Sequence, residues 1–290
     1  MTLRISVHFA CHLNQMSDAL LQFEAANTHC QRRIETSARI APMEHFSRVP
    51  AEDAIGERIW LRAQGRIDVH YDARIAIERS DPPLDALEAI PLHRLPGEAV
   101  KYLFESRYCQ PTQFIDFCEG QFGHLRGGEQ VTAIRDWVAG NVAYSSGASG
   151  PATSAIDTFH DRQGICRDFA HLFVTLARAS NVPARYVACY APGVSPQDFH
   201  AIAQVYLAES AGHDASKQQG GSWHCVDPTG MADPQHTAII GVGRDAADVS
   251  FLTTFGPMQF IESKVAVQLE GQGSVFNASP EAGQHEAVRS

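Results

Sequence analysis

Alternation of apolar and polar residues marks the first part of the chain. Residues 3–9 (LRISVHF) alternate in this way, and so do residues 67–77. A period of two is typical of strands that bury one face. Gly56 and Gly65 lie where turns between such strands are expected. The pattern predicts a β-rich, sandwich-like N-terminal domain over residues 1–85.

A proline-punctuated segment follows, with four prolines between residues 80 and 97. Proline favours extended backbone and lacks a donor, so we predict a connector and a domain boundary here. Helical periodicity comes next, over residues 97–108, 111–122 and 129–142. The last of these spaces its apolar positions for one face of an amphipathic helix.

The second half of the chain returns to strands after one more helix. That helix begins at Cys166, and residues 184–190, 200–207 and 222–227 then alternate with a period of two. We predict three antiparallel strands there, and the apolar stretch 258–270 is a further candidate strand.

These elements predict an α+β fold in which a helix packs on an antiparallel sheet. We assign this domain to residues 86–270. Residues 271–290 contain few large apolar side chains, so a flexible tail is expected.

Composition narrows the function classes. The 290 residues carry a net charge of −10, are 44% hydrophobic and include no Lys/Arg-rich run, which disfavours a nucleic-acid partner. No apolar run approaches the length of a membrane span, and the N-terminus does not resemble a secretory signal. A cytoplasmic protein with no membrane partner is expected, and homo-oligomer formation is left open.

The seven cysteines are irregularly spaced and include no CxxC pair. A disulfide framework and a zinc site are both disfavoured, and we expect no metal and no cofactor. His224 and Cys225 stand beside Asp227 but lack a partner set with zinc-like spacing. In a reducing compartment most cysteines are small buried hydrophobes. Cys166 requires a different explanation.

Cys166 is placed to act as a thiolate. Gly164 interrupts the preceding segment, and the apolar stripe of the helix starts just after Cys166. A helix N-terminus presents free N–H groups and a positive dipole end, which stabilise an anion. The Cys166 N–H would also point to the position where an oxyanion forms.

Two further residues complete a nucleophile–base–orienter triad. His200 opens a predicted strand 34 residues after Cys166, and Asp227 ends another strand 27 residues later. An imidazole can lower the pKa of the thiol, and a carboxylate can orient that imidazole. Each residue alone has an ordinary structural explanation. The three in this order predict a catalytic site with a cysteine nucleophile.

Other candidates are weaker. Gln163 and Tyr144 could bind substrate or the oxyanion, although a loop residue and a core aromatic are the ordinary interpretations. Asp168 is interpreted as a helix cap, and His171 as a core residue because it lies on another face of the helix.

Three motifs surround the candidate residues: Gly164-Ile165-Cys166, His200-Ala201 and Asp227-Pro228-Thr229. Together they resemble the transglutaminase-like superfamily, in particular its bacterial branch of cysteine proteases with an N-terminal β domain. The resemblance covers nearly the whole chain and is strongest over residues 98–262. Ile202 departs from the pattern, since many members have Trp there.

The resemblance implies a papain-like core and acyl transfer from a peptide or protein amide through a thioester on Cys166, with His200 and Asp227 as partners. Water as acceptor gives a protease or amidase, and an amine gives a transglutaminase. Hydrolysis is favoured because water is ubiquitous. A non-catalytic binding module with the same fold is the alternative from another class.

Overall fold

The computed structural model describes residues 1–80, 82–209 and 220–271, with the backbone of 288–289. Helices and antiparallel strands are both abundant, which confirms the predicted α+β class. The helices are α1 (Gly97–Val100), α2 (Ile115–Phe122), α3 (Gly127–Asn141), α4 (Ala155–Asp161) and α5 (Cys166–Ala179). Within the described residues, no helix is both long and apolar enough to cross a membrane.

The strands form a large sheet, a smaller second sheet and one short parallel pair. The large sheet contains β1 (Thr2–Leu21), β2 (Gln31–Ala41), β3 (His45–Pro50), β4 (Glu57–Ile77), β12 (Leu252–Thr254), β13 (Met258–Leu269) and β14 (Val288–Arg289). The second sheet contains β5 (Leu87–Glu88), β8 (Ala184–Tyr190), β9 (His200–Glu209), β10 (Gly221–Val226) and β11 (Ala238–Gly243). The short pair is β6 (Ala143–Tyr144) and β7 (Gln163–Gly164).

The large sheet confirms the β-rich N-terminal region. Strands β1 and β4 pair antiparallel over almost their whole length, from Leu3 opposite Ile75 to Leu21 opposite Ile59. Burial alternates along both strands, as the period-two pattern predicted. Strands β2 and β3 pair with successive parts of β4.

Gly65 does not form a turn between strands. It lies inside β4 with φ +84°, opposite Leu13, where the register between β1 and β4 shifts. A positive φ is open to glycine at little cost, so the residue permits an irregularity within one long strand. Gly56, with φ +82°, does precede β4, and an added Cβ there would lie 2.3 Å from the Ile240 carbonyl oxygen.

The candidate strand near the chain end is present as β13, but it pairs with β1 in the large sheet. The large sheet therefore combines both ends of the chain, which hydrophobic periodicity does not reveal. The division at residues 85 and 86 stays a prediction. The expected tail lies outside the described residues except for residue 271 and the backbone of β14.

The second sheet has the order β10-β9-β8-β11, with β5 beside β9. It confirms the three predicted strands, and the Pro-rich connector supplies β5. Strand β9 is buried at every position except Glu209. Helix α5 packs on one face through residues such as Phe173 and Leu176, while Tyr190 and Ile240 join the core of the large sheet. The sheet is thus covered on both sides, which excludes solvent around His200.

The helical predictions were correct in part. Helix α3 is confirmed, and Ser154 and Asp157 form a capping box at the start of α4. Residues 97–108 were predicted as one helix, but α1 ends at Val100, a short 3-10 turn follows and Phe104 is extended. Phe104 is 62% exposed, so the apolar stripe that suggested a longer helix is not buried there.

Candidate active site

Cys166 is the first residue of α5 and is 7% exposed. The preceding residue, Ile165, has an extended backbone and donates its N–H to Asp168 Oδ2 at 2.9 Å. Asp168 thereby caps the helix, as predicted. Gly164 fits the same turn, since an added Cβ would lie 2.7 Å from the Asp168 Cβ. Local sequence therefore fixes the sulfur at the positive end of the helix.

The Asp168 carboxylate is engaged away from the sulfur. Its Oδ1 accepts a hydrogen bond from Ser149 Oγ at 2.9 Å, and Arg167 donates to Ser149 Oγ at 2.6 Å and to the Gly150 carbonyl at 2.5 Å. Asp168 is fully buried. This network connects the loop at residues 149–150 to the start of α5. The Arg167 guanidinium therefore has a structural role in holding that loop.

His200 and Asp227 come together because β9 and β10 are neighbours. His200 opens β9, and Asp227 directly follows β10, whose last residue Val226 pairs with Ala203. The His200 Nε2 lies 3.0 Å from Asp227 Oδ2, and the two residues are 2% and 5% exposed. The predicted neighbouring strands therefore bring imidazole and carboxylate into contact.

Asp227 is held by four donors. Oδ1 accepts from the Thr229 N–H and hydroxyl, each at 2.8 Å, and Oδ2 accepts from the Ala232 N–H at 2.7 Å in addition to His200. Burial raises the pKa of Asp227, but the hydrogen bond and charge of His200, with these other donors, outweigh it and lower the pKa. The carboxylate is therefore a fixed anion that can orient the imidazole through the hydrogen bond at Nε2.

The His200 imidazole is held in its charged form. Burial lowers its pKa, but hydrogen bonding and charge from Asp227 and Cys166 more than compensate, raising the pKa to about 10. The Nδ1 atom is buried and has no partner with full hydrogen-bond geometry among the described residues. Cys166 therefore contributes to the shift in the pKa of His200 together with Asp227.

Tyr144 also reaches Cys166. Burial raises the pKa of its hydroxyl; the Cys166 side chain acts in the same direction, and a hydrogen bond from the Cys166 N–H opposes them. Tyr144 remains 38% exposed. Gln163 is exposed on β7, and neither Gln163 nor Tyr144 is among the residues that line the cavity beside Cys166. Of the two weaker candidates, Tyr144 is the one with a described interaction with Cys166.

Sequence reasoning missed the cavity that Cys166 and His200 share with the large sheet. Its walls include Gln22, Phe199, Ile240 and Phe251. Gln22 directly follows β1. A single polar residue between Leu21 and Phe23 was the available signal, and without the fold it does not point to a cavity.

His171 lies behind the cavity and is fully buried. Its ring stacks on Tyr108 with centroids 5.0 Å apart, and Nε2 accepts the Ala246 N–H at 3.1 Å. The prediction of a core residue is confirmed. Among the described residues, no group of three or more His, Cys, Asp or Glu side chains is placed to hold a metal ion.

Comparison with known proteins agrees with this geometry. Residues 119–228 match the family model described as "Transglutaminase-like superfamily". A crystal structure of a "Putative Cysteine Protease from Cytophaga hutchinsonii" is 28% identical, has a TM-score of 0.84, and is matched over 98% of this chain and 96% of that chain. The similarity in fold therefore includes the large sheet.

Two curated relatives match over shorter segments. An uncharacterized protein of Mycobacterium leprae is 31% identical over 121 residues, which are 41% of this chain and 42% of that protein. An uncharacterized protein of Mycobacterium tuberculosis is 32% identical over 117 residues, 37% of this chain and 35% of that protein. The chain thus spans less than half the length of these relatives. Residues 119–228, which contain Cys166, His200 and Asp227, match the model of the transglutaminase-like superfamily, the family that the sequence motifs resemble.

Proposed function

We propose that the protein is a cysteine-dependent acyl-transfer enzyme that hydrolyses peptide, amide or isopeptide bonds through a thioester on Cys166. The observation that carries this proposal is the position of His200, whose imidazole interacts with Asp227 on one side and with Cys166 on the other. The name of the Cytophaga hutchinsonii protein, which shares the whole fold, supports the same class of activity.

The reaction begins with the thiolate of Cys166 and the imidazolium of His200. The sulfur attacks the substrate carbonyl carbon, and the carbonyl oxygen becomes an oxyanion. His200 then gives its proton to the amide nitrogen, the carbon–nitrogen bond breaks and the amine leaves. The products of this half-reaction are a thioester on Cys166, a free amine and a neutral imidazole.

Water completes the cycle. The neutral His200 removes a proton from water as the oxygen attacks the thioester, and collapse of the tetrahedral intermediate releases a carboxylic acid and restores the thiolate–imidazolium pair. Asp227 stays ionised throughout and keeps the ring oriented. An amine in place of water would give transamidation. Hydrolysis and transamidation therefore differ only in the acceptor that attacks the thioester.

The oxyanion needs donors in both half-reactions. The Cys166 N–H is at the start of α5, where no backbone acceptor of the preceding helical turn exists, and its present partner is the Tyr144 hydroxyl. Tyr144 must yield this N–H when the substrate oxygen arrives, and its own O–H can then serve as the second donor. Tyr144 is therefore preferred over Gln163 as the candidate oxyanion residue.

Alkylation with iodoacetamide, mapped to each cysteine by mass spectrometry, tests the proposal. Cys30 is a control within the same chain, because it is partly exposed and lies outside the site. Although Cys166 is more buried than Cys30, it should react at least about tenfold faster near pH 6, where an ordinary thiol is almost fully protonated. His200→Ala should abolish this advantage and leave the rate at Cys30 unchanged.

Turnover and product analysis then identify the acceptor. A peptide-amide library incubated with the wild type, with and without hydroxylamine, should release carboxylic acids as the main product, and Cys166→Ala should release none. Hydroxamates as the main product at low hydroxylamine would identify transamidation instead. If Cys166 reacts no faster than Cys30 at any pH, the thiol enzyme is excluded and a binding module is the better interpretation.

A further inference from the structure

Gln22 is a buried amide without a structural role. Its side chain is 2% exposed, yet neither Oε1 nor Nε2 has a hydrogen-bond partner among the described residues. Gln31, equally buried, shows the ordinary arrangement: its Nε2 donates to the Ala26 and Ile239 carbonyls, and its Oε1 accepts the Ile239 N–H. Buried polar groups are normally satisfied, so this exception suggests that a further molecule binds the Gln22 carboxamide.

The fold holds Gln22 in place. Its backbone N–H donates to the Phe251 carbonyl at 3.1 Å. The side chain lies against bare glycine backbone, since a Cβ added to Gly241 would lie 2.0 Å from Gln22 Nε2. The carboxamide therefore occupies space that an alanine at position 241 would fill.

Gln22 lines the same cavity as Cys166 and His200. That cavity is lined by Cys166 and His200, by hydroxyl-bearing residues such as Ser149 and Ser250, and by apolar side chains, among them Phe199 and Phe251. Arg167 also lines it, but its guanidinium is bound to Ser149 and Gly150. Away from Cys166 and His200, a lining of apolar and neutral polar groups favours a neutral ligand over a charged one, because a charge would lose its hydration without gaining a counter-ion.

We propose that Gln22 is a specificity-determining residue that binds a neutral amide group of the substrate, separate from the bond that is cleaved. A carboxamide offers one acceptor and two donors in a plane, and another amide presents the complementary acceptor and donor. The inference rests on the proposed function for the position of the substrate. The amide is either a Gln or Asn side chain or a main-chain peptide group.

The test measures alkylation of Cys166 by Ala-Ala-Ala chloromethyl ketones that carry either Gln or Met at one position. A second series replaces one main-chain amide by an ester. In the wild type, one of the two series should show a preference at one position. Alkylation of Cys166 should be roughly tenfold faster with the Gln reagent than with the Met reagent, or roughly tenfold faster with the amide than with the ester. The series that responds identifies the source of the amide. In Gln22→Met the preference should fall to about twofold or less.

Thermal unfolding separates recognition from structure. Gln22→Met removes an unsatisfied buried amide and should raise the unfolding midpoint, by about 2–4 °C for a chain of this size. Gln31→Met, the matched control, removes three hydrogen bonds and should lower the midpoint without changing the preference among the chloromethyl ketones. Equal losses of stability in the two variants would show that Gln22 is structural and would overturn the proposal.

A second variant covers the case in which Gln22→Met fails to fold. Gly241→Ala keeps Gln22 but displaces its carboxamide, so here too the preference should fall to about twofold or less. A preference that is absent in the wild type, or unchanged in these variants, overturns the inference while rapid labelling of Cys166 by iodoacetamide still stands. Slow labelling by iodoacetamide would instead defeat the proposed function itself.

Discussion

Two buried regions of the molecule shift the pKa of a histidine in opposite directions. His200 stands at the wall of the cavity and His171 lies behind it, and both are at most 2% exposed. Burial lowers the pKa of each ring. At His200 the carboxylate of Asp227 and the sulfur of Cys166 reverse this effect and raise the pKa to about 10.

At His171 the neighbouring charges change the pKa in the same direction as burial. The ring lies between Tyr108 and Tyr186, its Nε2 accepts a backbone N–H, and the positive charges of Arg167 and Arg178 add to burial in lowering its pKa well below the ordinary value. Burial alone therefore does not decide the charge of a histidine. The groups that face the ring decide it, and those groups come from different strands.

The largest expected difference between the two regions is in reactivity. His200→Gln removes the ionisable partner of Cys166 and should slow alkylation of Cys166 and turnover by about 10²–10⁴-fold. His171→Gln keeps an acceptor for the Ala246 N–H and should change either rate by less than about tenfold. The measurement is the mapped alkylation rate at Cys166, with Cys30 as the internal standard.

An equal loss in both variants would break the comparison, since it would mean that the two histidines act as one structural unit. Circular dichroism of each variant must accompany the rates, because a variant that is unfolded says nothing about its imidazole.

A smaller difference is expected in the pH dependence of stability. The pKa of His171 is lower in the folded than in the unfolded chain, so the unfolded chain binds the extra proton as the pH falls below about 6.5. The free energy of unfolding should therefore fall on the acid side, by at most about 1.4 kcal/mol per pH unit from this group. His171→Gln should flatten that part of the curve.

Urea unfolding between about pH 5 and pH 7.5 measures this effect. A curve that keeps its full acid slope in His171→Gln would contradict a neutral His171. The carboxyl groups contribute mainly at lower pH, since Asp227, for example, loses its contribution only as the pH falls through its lowered pKa.

Local patterns predicted the parts of the site that depend on neighbouring residues in the chain. The start of α5 at Cys166 follows from Gly164 and the cap by Asp168, and the strand that begins at His200 follows from its period of two. The pairing of β9 with β10, and hence the contact of His200 with Asp227, required only that consecutive strands be neighbours.

Contacts between distant parts of the chain could not be predicted in this way. The pairing of β13 with β1 joins the two ends of the chain, and the approach of Gln22 to the cavity depends on that arrangement together with the bare backbone at Gly241. Apolar periodicity reports which face of an element is buried and not what buries it. Gly65 was misassigned for a related reason, because a glycine in a bulge and a glycine in a turn look alike in sequence.

The most direct test of the central contact is a titration of the imidazole of His200 by ¹⁵N-resolved NMR spectroscopy. In the wild type at about pH 7.5, both ring nitrogens of His200 should carry protons, whereas His171 in the same spectrum should be neutral with its proton on Nδ1. Asp227→Asn and Cys166→Ala should each lower the pKa of His200 from its wild-type value of about 10. A neutral His200 ring at about pH 7.5, or a pKa that neither substitution changes, would contradict the proposed coupling of sulfur, imidazole and carboxylate.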